Sequence, residues 1–223
     1  INKSNIMGFY RGPNIVTDGL VYAMDAGSGR SYDGTTSLND LVGSNTGTLT
    51  NGVTYQSING GVFDFDGVDD YITMSRAIST SNYSAEFMFN ADVNTINTEH
   101  WLGNQYAGGG RTIFDLWTNN KLRQFVNGTA IYGATTIVTG GWYHAVFTRN
   151  SSGVAYIYLN GVQDGTGTLS SVVPSDLPFE IGGDTSLVRW FNGKIPFCRI
   201  YNKALTAAEV TQNFNAQKSR FGL

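Results

Sequence analysis

Nine Asn-Gly or Asp-Gly dipeptides punctuate this chain of 223 residues, at Asn51, Asn59, Asn127, Asn160 and Asn192 and at Asp18, Asp33, Asp66 and Asp164. A tight hairpin of the primed type needs positive φ at both central residues, which Asn tolerates and Gly accepts without steric cost. The signal is cleanest from Trp142 to Gly161, WYHAVFTRNSSGVAYIYLNG. There Ala145, Phe147, Ala155, Ile157 and Leu159 alternate with polar or amphipathic neighbours, while Asn150 to Gly153 and Asn160-Gly161 supply the reversals. This stretch predicts a half-buried antiparallel hairpin. With only four prolines and one convincing helix, the pattern predicts an all-β protein of many short strands.

No Pro-rich, Ser-rich or charge-run linker divides the interior, so one domain is expected, large enough to bury roughly 70% of the surface its unfolded chain exposes. A single cysteine, Cys198, has no partner for an internal disulfide and sits in the apolar run Ile195 to Ile200, which predicts a buried small hydrophobe rather than a reactive thiol. A net charge of −3 with 14% charged residues leaves no basic stripe for nucleic acid and no polybasic patch for a membrane surface. No apolar run reaches the length of a membrane span, and INKSNIMGFYRG lacks the apolar core of a signal peptide. The chain begins with Ile1 rather than Met, so either residues precede it or Met7 is the start. The sequons at Asn2, Asn82, Asn127 and Asn150 are what an Asn-rich chain produces by chance and are given no weight.

Residues 1–17 read as an arm, because Arg11-Gly12-Pro13 interrupts any regular element and nothing periodic precedes Ile15. The domain proper is expected over 18–223. Its first strand is Leu20 to Asp25, followed by a long Gly, Ser, Asp and Asn loop from Ala26 to Asn45. Strands are then expected at Gly61–Phe65, Tyr71–Ser75, Ser84–Phe89, Trp101–Asn104, Thr112–Trp117, Lys121–Val126 and Ala130–Ala134. After the hairpin come Phe179–Gly182 and Gly193–Tyr201. So many strands suit two antiparallel sheets packed face to face, a jelly-roll sandwich with one concave sheet. Near the C-terminus Thr206 to Glu209 has the form of a capping box, with Leu205 and Val210 placed as a hydrophobic staple. A surface helix of two to three turns should run through Gln217, showing Val210 and Phe214 on one face.

Over roughly residues 18–215 the chain resembles the laminin-G-like, concanavalin A-like lectin and glucanase superfamily. The resemblance rests on Phe63-Asp-Phe-Asp-Gly-Val-Asp-Asp-Tyr-Ile72, Trp142-Tyr-His144, Ile157-Tyr-Leu-Asn-Gly161, Ile181-Gly-Gly183, and Phe191-Asn-Gly-Lys-Ile195 leading to Arg199–Leu205 and Glu209. It implies a concanavalin A-like β-sandwich, a fold that hosts lectins, pentraxins, glycosidases, adhesion modules and virion parts alike. A narrower similarity, to laminin-G-like structural proteins of marine tailed bacteriophages, is carried by Phe9–Asn14, Thr17–Leu20, Asp25–Gly27, Asn213–Ala216 and Arg220–Leu223. It implies a capsid decoration or fibre protein on the virion surface, attached through its arm to capsid or other virion proteins. Edge strands and the arm would pair across subunits of a homo-oligomer.

Sugar recognition needs flat aromatic faces and planar polar groups, and Trp101, Tyr106, Trp117 and Trp190 with Asn104, Arg111, Asp184 and Arg189 supply both in loops or at strand ends. The alternative places Trp101 and Trp117 in the core and leaves only Tyr106 and Trp190 exposed. Gly108 to Arg111 has the composition of a recognition loop or a capsid contact. The run Asp64, Asp66, Asp69 and Asp70 reads either as a turn whose carboxylates bond backbone N–H groups or as a calcium loop, although the twelfth position from Asp64 is Ser75 rather than an acid. The resemblance also implies a rim calcium, for which Asn104, Gln105, Asp184 and Asn192 stand at the matching loops, without the dense carboxylate cluster of pentraxins. His144 has no obvious Ser, Cys or carboxylate partner nearby and reads as structural, and His100 as solvent facing.

Glycosidases of this fold carry paired carboxylates on one strand, as E-x-D-x-E or a close variant. The four glutamates, Glu86, Glu99, Glu180 and Glu209, are scattered, and neither Ser84 nor Met88 beside Glu86 is acidic, so no enzyme is expected. Three readings remain: a virion surface protein with weak affinity for cell-surface glycans, a carbohydrate-binding or adhesion module of a cell-surface protein, and a glycosidase without the usual motif.

Overall fold

The computed structural model describes residues 13–75, 78, 80–92, 100–107, 110–170, 178–184 and 187–223, with 106 and 107 described in their backbone alone. The expected arm lies outside the described residues as far as Gly12. The chain forms β1 (Leu20–Asp25), β2 (Ser37–Asn39), β3 (Thr46–Thr50), β4 (Thr54–Gln56), β5 (Val62–Asp66), β6 (Tyr71–Met74), β7 (Tyr83–Ala91), β8 (His100–Ala107) and β9 (Gly110–Leu116). It continues with β10 (Lys121–Val126), β11 (Thr129–Thr136), β12 (Tyr143–Arg149), β13 (Val154–Leu159), β14 (Val162–Thr168), β15 (Phe179–Ile181), β16 (Gly183–Asp184), β17 (Arg189–Trp190), β18 (Asn192–Tyr201) and the helix α1 (Ala207–Gln217).

Two antiparallel sheets result, as the resemblance implied. Sheet one runs β14-β13-β12-β7-β18-β5-β4, with β1 also on β18, and sheet two runs β11-β10-β9-β8-β15-β6-β3-β2. The long β18 organises sheet one: Asn192–Ile195 pair with β5 and Phe197–Tyr201 with β1, while its other edge meets β7. Pro196 lacks an N–H for the ladder, and the register against β7 shifts between Lys194 and Phe197, around that proline. Between the sheets lies an aromatic core in which Phe114 of sheet two meets Phe147 of sheet one at 5.0 Å between ring centroids, and Phe87 stacks on Phe179 at 6.5 Å. Cys198 is fully buried in this core, and burial pushes its thiol well above the usual range.

Asn51, Asn59, Asn127 and Asn160 adopt positive φ, as their turns require. Asn192-Gly193 and Asp164-Gly165 depart from the turn reading, because both lie inside strands, β18 and β14. Gly193 is there for close approach: a Cβ on it would stand 2.2 Å from the Asn90 carbonyl oxygen of β7. The loop expected over Ala26–Asn45 contains β2, and β3 and β4 follow it in a segment of small and polar side chains without apolar alternation.

The hairpin β12–β13 is not half-buried. All of β12 after Tyr143 is buried, because the C-terminal segment covers the outer face of sheet one. The capping box forms, with Thr206 Oγ1 accepting from the Glu209 N–H at 3.3 Å and Glu209 Oε2 accepting from the Thr206 N–H at 2.8 Å. Helix α1 then brings Val210 onto Val146, Tyr158, Tyr201 and Leu205. Val16 joins the same cluster, its N–H donating to Asn213 Oδ1 at 2.7 Å, and the Gln212 amide donates to the Asn14 carbonyl at 2.8 Å. The described part of the arm is thus fastened to its own domain.

Under α1 lies a buried polar knot centred on Glu86 of β7. Its Oε1 receives Arg199 Nη1 at 2.7 Å and lies 2.9 Å from His144 Nε2, while its Oε2 accepts from Asn213 Nδ2 at 2.8 Å and lies 3.2 Å from the Tyr201 hydroxyl. The reading of His144 as lacking a carboxylate partner is therefore corrected: the partner is Glu86, which β7 and β12 bring alongside through their pairing. Burial by itself would raise the Glu86 carboxyl, but the Arg199 charge and the His144 contact outweigh it and hold the pKa at about 2. His100 is likewise corrected from solvent facing to 3% exposed, and its burial pushes the imidazole down against the opposing pull of Asp92.

Candidate functional site

The C-terminal segment covers much of the outer face of sheet one, and the outer face of sheet two carries Trp101 and Arg111 among the candidate side chains. In β9 and β10 the core takes Phe114, Leu116, Leu122 and Val126, so by the two-residue period Arg111, Ile113, Asp115, Arg123 and Phe125 face away from it. The register then aligns Tyr132, Arg123, Asp115 and Trp101 in one row across four strands. A second row runs through Phe125, Ile113, Asn104, Glu180, Thr73 and Thr48.

At one end of this face Arg123 forks onto Asp115. Its Nε donates to Oδ1 at 2.9 Å and its Nη2 donates to Oδ2 in a second, shorter bond. The guanidinium plane lies 3.6 Å from the centre of the Trp117 ring, so the half-buried indole is propped flat by a cation that is itself fixed by a carboxylate. Phe125 stands 5.6 Å from the same guanidinium, and Tyr132 beside it is 46% exposed.

At the other end the short hairpin β16–β17 closes over the rim. Gly183 lies opposite Trp190, and a Cβ on Gly183 would stand 2.5 Å from the indole, so glycine is what lets that ring lie against the strand. Tyr71 backs Trp190 at 5.9 Å. Asn104 Nδ2 donates to the Gly183 carbonyl at 2.5 Å, Asp184 Oδ1 accepts from the Leu187 N–H at 2.8 Å, and Arg111 Nη1 pairs with Asp184 Oδ2 at 3.5 Å. Val188 at the tip holds φ at 56°, a strained value for a β-branched residue, and with Leu187 and Arg189 it is exposed.

The structure sorts the candidate sugar residues into three groups. Trp117, Trp190, Arg111 and Arg189 reach the surface on this side of the sandwich. Trp101, at 1% exposure, Asn104, at 2%, and Asp184, at 1%, are corrected: Trp101 has no face to offer a ligand, and the other two brace the rim hairpin from beneath. Tyr106 sits opposite Arg111 in the β8–β9 ladder, and its side chain lies outside the described residues. Arg123, Asp115, Phe125, Tyr132 and Tyr71 were missed by sequence reasoning. Asp115 and Arg123 stand symmetrically about the turn at Thr118–Asn120, and that mirror placement of opposite charges was the available signal.

The residues matched to a rim calcium do not fit one. Gln105 Oε1 is turned into the sandwich, where it accepts from the Ile78 N–H at 2.7 Å, and Asn192 lies opposite Asp66 in sheet one.

Comparison with known proteins agrees with this architecture. Domain 4 of a GH43 extracellular arabinanase from Geobacillus stearothermophilus, solved in complex with arabinotriose, superposes with a TM-score of 0.68 at 20% identity, covering 88% of this chain and 98% of that domain. The sialidase of Trypanosoma rangeli matches with a TM-score of 0.70 at 15% identity over 92% of this chain, and the receptor-binding domain of botulinum neurotoxin type G with 0.67 at 16% over 90%. This chain spans 34% of that sialidase and 52% of that toxin domain. No curated protein matches the sequence. The family model for concanavalin A-like lectins and glucanases matches residues 66–211, and on that match and the two-sheet fold the chain belongs to the concanavalin A-like lectin/glucanases superfamily.

Proposed function

We propose that this chain is a non-catalytic glycan-binding module whose contact surface is the outer face of sheet two. The observation that carries the reading is Trp117, held flat by the Arg123–Asp115 pair and partly open to solvent, on the same face as Trp190 and the exposed rim tip. Trp117 stands six positions beyond Arg111 along β9 and its continuation, about 20 Å at the rise of a strand, which suits a chain of sugars better than a single ring. The arabinanase domain solved with arabinotriose makes arabino-oligosaccharides the first ligands to try.

The absence of catalysis is supported by how the carboxylates are used. Glu86 is spent in the knot beneath α1, Asp115 and Asp184 on the candidate face are each engaged by an arginine, and Glu180 is the one acid in the row from Phe125 to Thr48. A glycosidase needs two carboxyl groups presented to the sugar bond.

Trp117→Ala should weaken binding of the best glycan on an array by about 1–3 kcal/mol, roughly five- to 150-fold in Kd, with unfolding little changed. Equal affinity of the variant and the native chain by calorimetry contradicts the assignment.

The finer reading, a decoration or fibre protein of a tailed-phage virion, rests on the terminal motifs. In the closing motif Asn213 serves the Glu86 knot and Arg220 grips Asp25 with bonds of 2.9 and 2.8 Å, so these residues already have a role within the domain. The motifs Phe9–Asn14 and Thr17–Leu20 are what remain to support that reading, and mass spectrometry of purified virions tests it.

A further inference from the structure

The turn between β5 and β6 gathers Asp66, Asp69 and Asp70, and one carboxylate oxygen of each lies within 4.8 Å of the other two. Two of their oxygens are engaged: Asp66 Oδ1 accepts from the Val68 N–H at 2.8 Å, and Asp70 Oδ2 from the Asp66 N–H at 3.0 Å. Asp70 is 3% exposed, yet its Oδ1 is buried without any hydrogen-bond partner. A buried carboxylate oxygen left without a donor is costly, so it calls for a positive partner. Protein cations do not fill the role among the described residues. Lys194 lines the same hollow but is paired with Asp64 at 3.2 Å.

The surroundings leave room for an ion. A Cβ on Gly52 would stand 3.3 Å from Asp70 Oδ1, so glycine keeps the space in front of the orphan oxygen open. A hollow of about 510 Å³ lies there, lined by Gly52, Asp66, Asp70 and Asn192 among others.

We propose that Asp66, Asp69 and Asp70 form a calcium site at the β5–β6 turn, apart from the glycan face. The donors are all hard oxygens. Calcium takes about six to eight such oxygens in a flexible geometry, which three converging carboxylates suit, whereas magnesium demands near-ideal octahedral geometry and keeps several of its waters. Asp64, the first acid of the run, is excluded by its pairing with Lys194. Tyr71 follows Asp70 directly and backs Trp190, so an ion here would steady the rim from beneath.

The test is calorimetric titration of calcium chloride into the EDTA-treated chain, alongside thermal unfolding with calcium, magnesium or EDTA. One equivalent of calcium should bind and raise Tm by several degrees, with a smaller effect of magnesium. Asp69→Asn, at an exposed carboxylate, should lower calcium affinity roughly tenfold or more while leaving Tm in EDTA unchanged. Asp66→Asn provides the second variant. No binding heat and no Tm shift at millimolar calcium, or unaltered affinity in both variants, overturns the proposal.

Discussion

Glu86→Ala is expected to destabilise the domain by about 3–5 kcal/mol, because removing one member of a buried ion pair leaves the other charge uncompensated. Arg199 is 4% exposed and would lose its carboxylate while remaining under α1, and Asn213 and the Tyr201 hydroxyl would lose a partner at the same time. For a chain of this size each kcal/mol moves Tm by about 2–4 °C, so a drop on the order of 10 °C should appear in a thermal melt. The pH dependence follows from the same group. Its carboxyl is held at about 2 in the folded chain against 4.5 for the unperturbed group. The folded pKa is depressed, so the stabilisation is fully present above the unfolded value and is lost as pH falls through the folded one. Urea unfolding of the native chain should therefore weaken between about pH 4.5 and pH 2, and Glu86→Gln should lack that part of the slope. An unchanged slope in the glutamine variant contradicts the assignment.

Gly193→Ala should be nearly as damaging, at about 2–5 kcal/mol, from two causes acting together. The residue sits at φ 138°, where side chains bearing a Cβ are strained. The added carbon would also stand 2.2 Å from the Asn90 carbonyl oxygen and 2.9 Å from Ala91 Cα. Both neighbours are backbone of β7, so no side chain can swing aside, and the pairing of β18 with β5 and β7 must open instead. The urea midpoint measures the loss. A midpoint close to that of the native chain would show that the sheet yields there more easily than this geometry implies.

How much was legible in the sequence depended on how local each signal was. The capping box at Thr206, the positive-φ turns at Asn51, Asn127 and Asn160, and β1 and β10 to the residue all rest on chemistry within a few positions. The strands β2, β3 and β4 escaped because their serine and most of their threonines are exposed and the buried Gly47 has no side chain to mark an apolar face, and their pairing comes from neighbouring strands. The covered outer face of sheet one was hidden for another reason: His144 and Glu86 stand 58 positions apart, and Asn213 reaches Glu86 across 127. At the candidate site, aromatic content alone could not separate Trp101 from Trp117. The register puts both on the outer face of sheet two, and tertiary packing then buries Trp101 while leaving Trp117 partly open.

The most direct measurement for the recognition face is backbone hydrogen–deuterium exchange of the full chain, with and without the best-binding glycan at saturation. Added protection should concentrate on β9, β10 and residues 183–190, with β12, β13 and α1 unchanged. Protection confined to α1 and the sheet beneath it, with none on β9 or β10, would contradict a glycan site on the outer face of sheet two.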